Sequence, residues 1–152
     1  MVIKSFRGRM NDSEVDTISL HTIDGSIGYR IVKFQIMGVS ENQTSEATMK
    51  IFKTPQPDPT VTPPTTSVDF SDNTMLAAAL YGDSSATPGN AEATIIFDKE
   101  IFNQDIYITY KDGFAQRMNY YIELEQVKLD LNENTVATLK DIRNIEAQSL
   151  ST

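Results

Sequence analysis

The chain has 152 residues, no cysteine, one histidine and a formal net charge of −8 at pH 7. The lack of cysteine excludes disulfides, zinc–thiolate centres, iron–sulfur clusters and thiol nucleophiles. The acidic balance argues against direct nucleic-acid binding, which draws its affinity from clustered Lys and Arg.

With 39% hydrophobic residues and no apolar run near the eighteen or so that cross a bilayer, the chain is expected to form a single β domain over 1–152 with no membrane-spanning segment. Lys4, Arg7 and Arg9 near the start have no apolar stretch behind them, so no secretory signal is expected there. They form a small basic patch, which is either solvated or set against an acidic neighbour. Val2 to Phe6 alternates as a short strand, and Gly8 with Asn11, Asp12 and Ser13 is expected to break it. Val15 to Thr22 is a second strand with Ile18 and Leu20 on one face, and residues 23–26 form a turn. From Gly28 to Met37 the alternation is strongest, with Val32, Phe34 and Ile36 on one side. Tyr29 and Ile31 belong to the opposite phase, which predicts a bulge. A strand at Ala47 to Thr54, with Met49 and Ile51 inward, closes the first half.

Residues 55–67 then read PQPDPTVTPPTTS. Five prolines cannot donate ladder hydrogen bonds and favour an extended polyproline conformation, so this segment is expected to be an exposed arm or loop. Ser71 or Asp72 can cap, Met75 to Leu80 is rich in alanine, and Gly82 is a stop signal, which together predict a short helix near 72–81. A surface loop at 83–90, a strand at Ala93 to Phe97 and a link at 98–104 follow. Ile106 to Tyr110 and Tyr120 to Leu129 are strand-like, and the Asp112-Gly113 pair between them predicts a hairpin. Tyr120, Ile122 and Leu124 share one face; a phase slip near Gln126 predicts a bulge or bend there. Val136, Leu139, Ile142 and Ile145 recur every three residues, predicting a C-terminal helix near 133–146 and a flexible tail at 147–152. The fold class is therefore mainly β, an antiparallel sandwich with two helical additions.

Candidate chemistry is sparse. His21 is a lone imidazole on a polar strand face and lacks the partners of a triad or metal site. Residues 130–141 imitate a calcium loop through Asp130, Asn132 and Asn134, but Thr135 replaces the required glycine and Asp141 the usual Glu. Helix capping explains these residues better. The carboxylate pairs Asp98 with Glu100 and Glu123 with Glu125 are the only glycosidase-like arrangement. No phosphate loop or nucleophile elbow is present, so no catalytic residue, metal or cofactor is assigned and the chain is not expected to be an enzyme. Tyr110 and Tyr121 are open to two readings, cross-strand core pairs or a contact surface. The candidate interface residues are Tyr110, Tyr121, Pro57, Pro59, Pro63, Pro64, Arg7 and Arg9.

The stretches IKSFRGRM (3–10), DTISLHT (16–22), SIGYRIVKFQIMG (26–38), VDFSDNTMLAAALY (68–81), IIFDKEIFNQDIYITYKD (95–112), NYYIELEQVKLD (119–130) and TVATLKDIRNIE (135–146) resemble small virion proteins of marine bacteriophages. The resemblance carries no catalytic motif. It implies a virion structural protein, synthesised in the host bacterial cytoplasm, whose partners are other virion proteins and copies of itself in a homo-oligomer. Together with the strand-rich reading it leads to the expectation of a jelly-roll-like capsid subunit in a minor shell, vertex or decoration role. The alternative is a tail or fibre component that binds host glycans, and a small hydrolase is a third class.

Overall fold

A computed structural model describes residues 1–20, 25–83 and 92–129. His21, most of the 83–90 loop, the calcium-like 130–141 segment, the 133–146 helix and the 147–152 tail lie outside the described residues. The strands in chain order are β1 (Val2–Met10), β2 (Glu14–Ile18), β3 (Ile27–Gly38), β4 (Ser45–Phe52), β5 (Met75–Asp83), β6 (Glu92–Phe97), β7 (Ile106–Asp112) and β8 (Met118–Lys128). They form two antiparallel sheets, ordered β1-β8-β3 and β2-β7-β4-β5-β6.

Each sheet turns one side chain in two toward the other sheet. Phe34, Ile36, Ile122 and Leu124 from the first meet Met49, Ile51, Ile106 and Ile108 from the second in one buried cluster, giving a sandwich-like core. At about 1.5–3 kcal/mol for each fully buried side chain of this kind, that cluster is the main stabilising term. Gly8 sits inside β1 rather than ending it, for a steric reason. A Cβ there would lie 2.7 Å from the Tyr120 hydroxyl and 2.9 Å from its ring, so the strand needs glycine to let Tyr120 lie across it.

The predicted helix over 72–81 is instead β5. Alanine has the best intrinsic helix propensity, yet here both edges of the run are taken, by β4 and β6. Ala77 and Ala79 fill the core beneath the large side chains of the opposite sheet, and a strand uses the small residues on both faces. Tertiary pairing outweighs the local preference. The predicted hairpin is corrected as well: β7 and β8 are both strands, but they lie in different sheets. β7 is flanked by β2 and β4, and β8 by β1 and β3, so neither has a free edge for the other. The Asp112-Gly113 turn is a crossover between layers.

The bulge predicted in the third strand is present. The β3–β8 register shifts between Ile31 and Lys33, leaving Val32 as the extra residue, 37% exposed rather than core-facing. No bulge occurs at Gln126, which stays in register with both Val2 and Tyr29. The irregularity belongs to the partner strand. The 98–104 link holds more than sequence reading expected, since Phe102 is buried and exchanges backbone hydrogen bonds with Tyr29 of β3 at 2.7 and 2.9 Å.

Candidate interface surfaces

The outer face of the three-stranded sheet gathers three of the predicted contact residues. Partners across an antiparallel ladder share a face, and the register sets Arg7 beside Tyr121 and Gln35, and Arg9 beside Asn119 and Met37. Lys33 stands with its ammonium 5.6 Å from the centre of the Tyr121 ring, within reach of its negative face. The Tyr121 hydroxyl donates to Glu123 at 2.9 Å, and that bond raises its pKa while nearby Arg7 opposes the shift. Arg30 donates to Glu125 at 2.8 Å; this hydrogen bond lowers the carboxyl and raises the guanidinium. Such an exposed pair orders the surface more than it stabilises the chain. Arg7, Arg9 and Lys33 are exposed on this face, together with Met37 at 70%.

The Pro/Thr segment is a largely exposed loop that is held to its own sheet. It runs back over β4, where Thr48 Oγ1 donates to the Thr66 carbonyl at 3.2 Å. Lys50 Nζ donates to the Ser67 carbonyl at 2.9 Å and to Thr65 Oγ1 at 3.3 Å. Asp58 accepts from the Thr60 amide and hydroxyl, and Asp69 likewise from Ser71; both carboxyls are lowered by those hydroxyl and amide bonds. These local turns suit the sequence, since Asp and Ser/Thr two residues apart favour them. Lys50 is buried on the outer face of β4, and this burial lowers its pKa, with Asp72 partly opposing the shift. The loop is thus anchored at one end while Pro57 and Pro63 stay exposed and Pro59 and Pro64 are half-buried.

Tyr110 is a core residue and presents no surface, being fully buried. Its hydroxyl lies 2.9 Å from Asp112 Oδ2 and 2.8 Å from the Gln116 carbonyl, so it donates to one acceptor at a time. Tyr120 donates to Asp16 of β2 at 2.8 Å, a bond that ties the two sheets together. Burial, then the neighbouring carboxylate, pushes both phenols well above the ordinary 10.0. The folded chain therefore keeps protons that the unfolded chain releases above about pH 10. The associated stability is whole below pH 10 and is lost as pH rises through the folded-state values. In an alkaline titration read by phenolate absorbance, two of the six tyrosines are expected to ionise only together with loss of the β-sheet circular dichroism signal. Smooth ionisation of all six in the folded chain would contradict this.

Sequence reading missed a groove of about 530 Å³ where β5 begins and β6 ends. Phe70, Leu76, Ile96 and Phe97 supply apolar walls, and Asp72, Asp98 and Glu100 an acidic lining. Phe70 is 67% and Ile96 52% exposed, and Leu80 on the same outer face is also exposed. The signal for Ile96 was in the strand alternation, since Ile95 and Ile96 cannot both face the core. Phe70 had no such signal. Glu100 is committed to the buried Lys53 at 2.6 Å, while Asp98, which accepts from the Glu100 amide, stays exposed and Asp72, which accepts from the Thr74 amide and hydroxyl, is half-buried. Among the described residues no group of three His, Cys, Asp or Glu is placed to hold a metal ion, and no helix is long and apolar enough to cross a membrane. Set against protein-family models, curated proteins and solved structures, the chain matches none.

Proposed function

We propose that the chain is a bacteriophage virion structural protein, a capsid-associated subunit that works through protein–protein contacts in a symmetric assembly. The observation that carries this reading is the nesting of the strands. β1 pairs with β8, β2 with β7 and β4 with β5. β3 meets β6 and, just beyond it, bonds to Phe102. One long hairpin wrapped into two layers has much of this order, which supports a jelly-roll-like reading, here with the sixth strand bonded to β5 and its continuation at Phe102 bonded to β3. Jelly rolls serve as capsid domains and in other roles, so the surfaces must carry the rest. Both outer faces expose large apolar side chains, Met37 on one and Phe70 and Ile96 on the other, as contact surfaces do. The likeness to marine phage virion proteins supports the same reading. Quantitative mass spectrometry of purified particles of the encoding phage tests it. Hundreds of copies per particle are expected; a dozen or fewer would move the protein to the tail, and absence would overturn the reading.

A further inference from the structure

We propose that copies of this chain associate head to tail, the cationic face of the three-stranded sheet on one copy seating on the acid-rimmed apolar groove of the next. The inference deepens the structural-subunit reading and rests on it. The two surfaces lie on the outer sides of opposite sheets and point away from each other, so one copy cannot present both to the same partner and the contact is not a twofold one.

Charge and chemistry make the two surfaces a pair. In a chain of net charge −8, this exposed sheet face carries more cations than carboxylates: Glu125 is paired with Arg30 and Glu123 stands in the row of Lys33, which leaves Arg7 and Arg9 in excess, with Met37 as an apolar knob in the row of Arg9. Methionine is flexible and polarisable and fills irregular hollows well. The groove offers the converse, apolar walls from Phe70 and Ile96 with Asp72 and Asp98 at its lining. Arginine stems pack on apolar surface while the guanidinium meets carboxylate. Opposite potentials also favour this mode, because groove against groove opposes Asp to Asp, while face against face brings the surplus cations Arg7 and Arg9 together. A nucleic acid could satisfy the cations but leaves the groove empty, and a glycan answers neither the Met37 knob nor the charge.

Two exposed-residue variants test the contact. Arg7→Glu with Arg9→Glu spoils the face and keeps the groove, and Phe70→Lys with Ile96→Lys does the reverse. Circular dichroism checks that both fold. In sedimentation velocity of the purified full chain, wild type is expected to grow beyond dimers as concentration rises, and to do so less at about 500 mM than at about 50 mM salt. Each variant alone should associate at least about tenfold more weakly, while Arg7→Lys with Arg9→Lys keeps association. An equimolar mixture of the two spoiled variants should form a dimer that grows no further, since each retains one working surface. A wild-type monomer up to about 100 µM, a wild-type dimer that stops at two, or a mixture that stays monomeric would each overturn the proposal. None of those results touches copy number in particles, so failure of this contact and failure of the virion reading are separable.

Discussion

Replacing Asp112 with alanine is expected to lower the unfolding free energy by about 3–5 kcal/mol, one of the two largest effects expected from single side chains. The carboxylate is buried at 2% exposure where the chain leaves one sheet for the other. It accepts from the Phe114 amide at 2.7 Å and the Glu46 amide at 3.2 Å, and faces the Tyr110 hydroxyl at 2.9 Å. Its own amide donates to Asp12 at 2.8 Å, and Ala115 just beyond adopts a positive φ of 56°. Hydrogen bonds to an ionised group contribute about 1.5–3 kcal/mol each, and donors left buried without an acceptor cost about 1–3 kcal/mol each. Tyr110 keeps the Gln116 carbonyl as a second acceptor, so the loss falls mainly on the two amides. Asp112→Asn, which retains one acceptor oxygen, is expected to lose about half as much. Urea unfolding followed by circular dichroism measures both, and a change below about 1 kcal/mol for alanine would show that water takes over the carboxylate's role.

The second large effect is expected at the Lys53–Glu100 pair. Both side chains are almost wholly buried, at 5% and 10% exposure, and their charged atoms lie 2.6 Å apart. Taking the carboxylate away removes the oxygen that the buried ammonium meets at 2.6 Å, and Glu100→Ala should cost about 3–5 kcal/mol. Removing both charges together is a different matter, because the desolvation penalty of each ion disappears with it. Lys53→Met combined with Glu100→Met is therefore expected to be closer to wild type than Glu100→Ala, by about 2 kcal/mol or more. A double-mutant cycle in urea gives the comparison directly. If the double variant proves the less stable of the two, mutual attraction, rather than the cost of breaking the pair, dominates at this site.

Much of the strand content was legible because half-buried strands must alternate, as Phe34 and Ile36 or Ile122 and Leu124 do. The phase change before Phe34 marked a bulge in the third strand, though alternation alone could not say that Val32 is the residue turned out. Met75 to Leu80 misled for a physical reason, since alanine suits both a helix and a crowded central strand and only the neighbours decide. The same holds for Asp112 and Gly113, whose turn chemistry is indifferent to whether the next strand stays in the sheet or leaves it. Pairing depends on which strand edges are already occupied, and no local pattern records that. The clustering of Arg7, Arg9 and Tyr121 was equally hidden, because residues more than a hundred positions apart become neighbours only through the β1–β8 register. Tyr110 and Tyr121 looked alike in sequence, and only the structure separates the buried phenol from the surface one.

The seat of β8 between β1 and β3 bears on how the chain is made. Until residues 118–128 have left the ribosome, the first and third strands have no ladder partner in their sheet, and half of the core has nothing to close against. Contacts spanning so much of the chain slow folding, because they must be found after synthesis rather than during it. A translation product that stops short of β8 would leave both of those strands with bare edges, open to proteolysis or to wrong pairing. Completion of the sandwich would then act as a proofreading step, because only a chain that carries β8 closes both sheets.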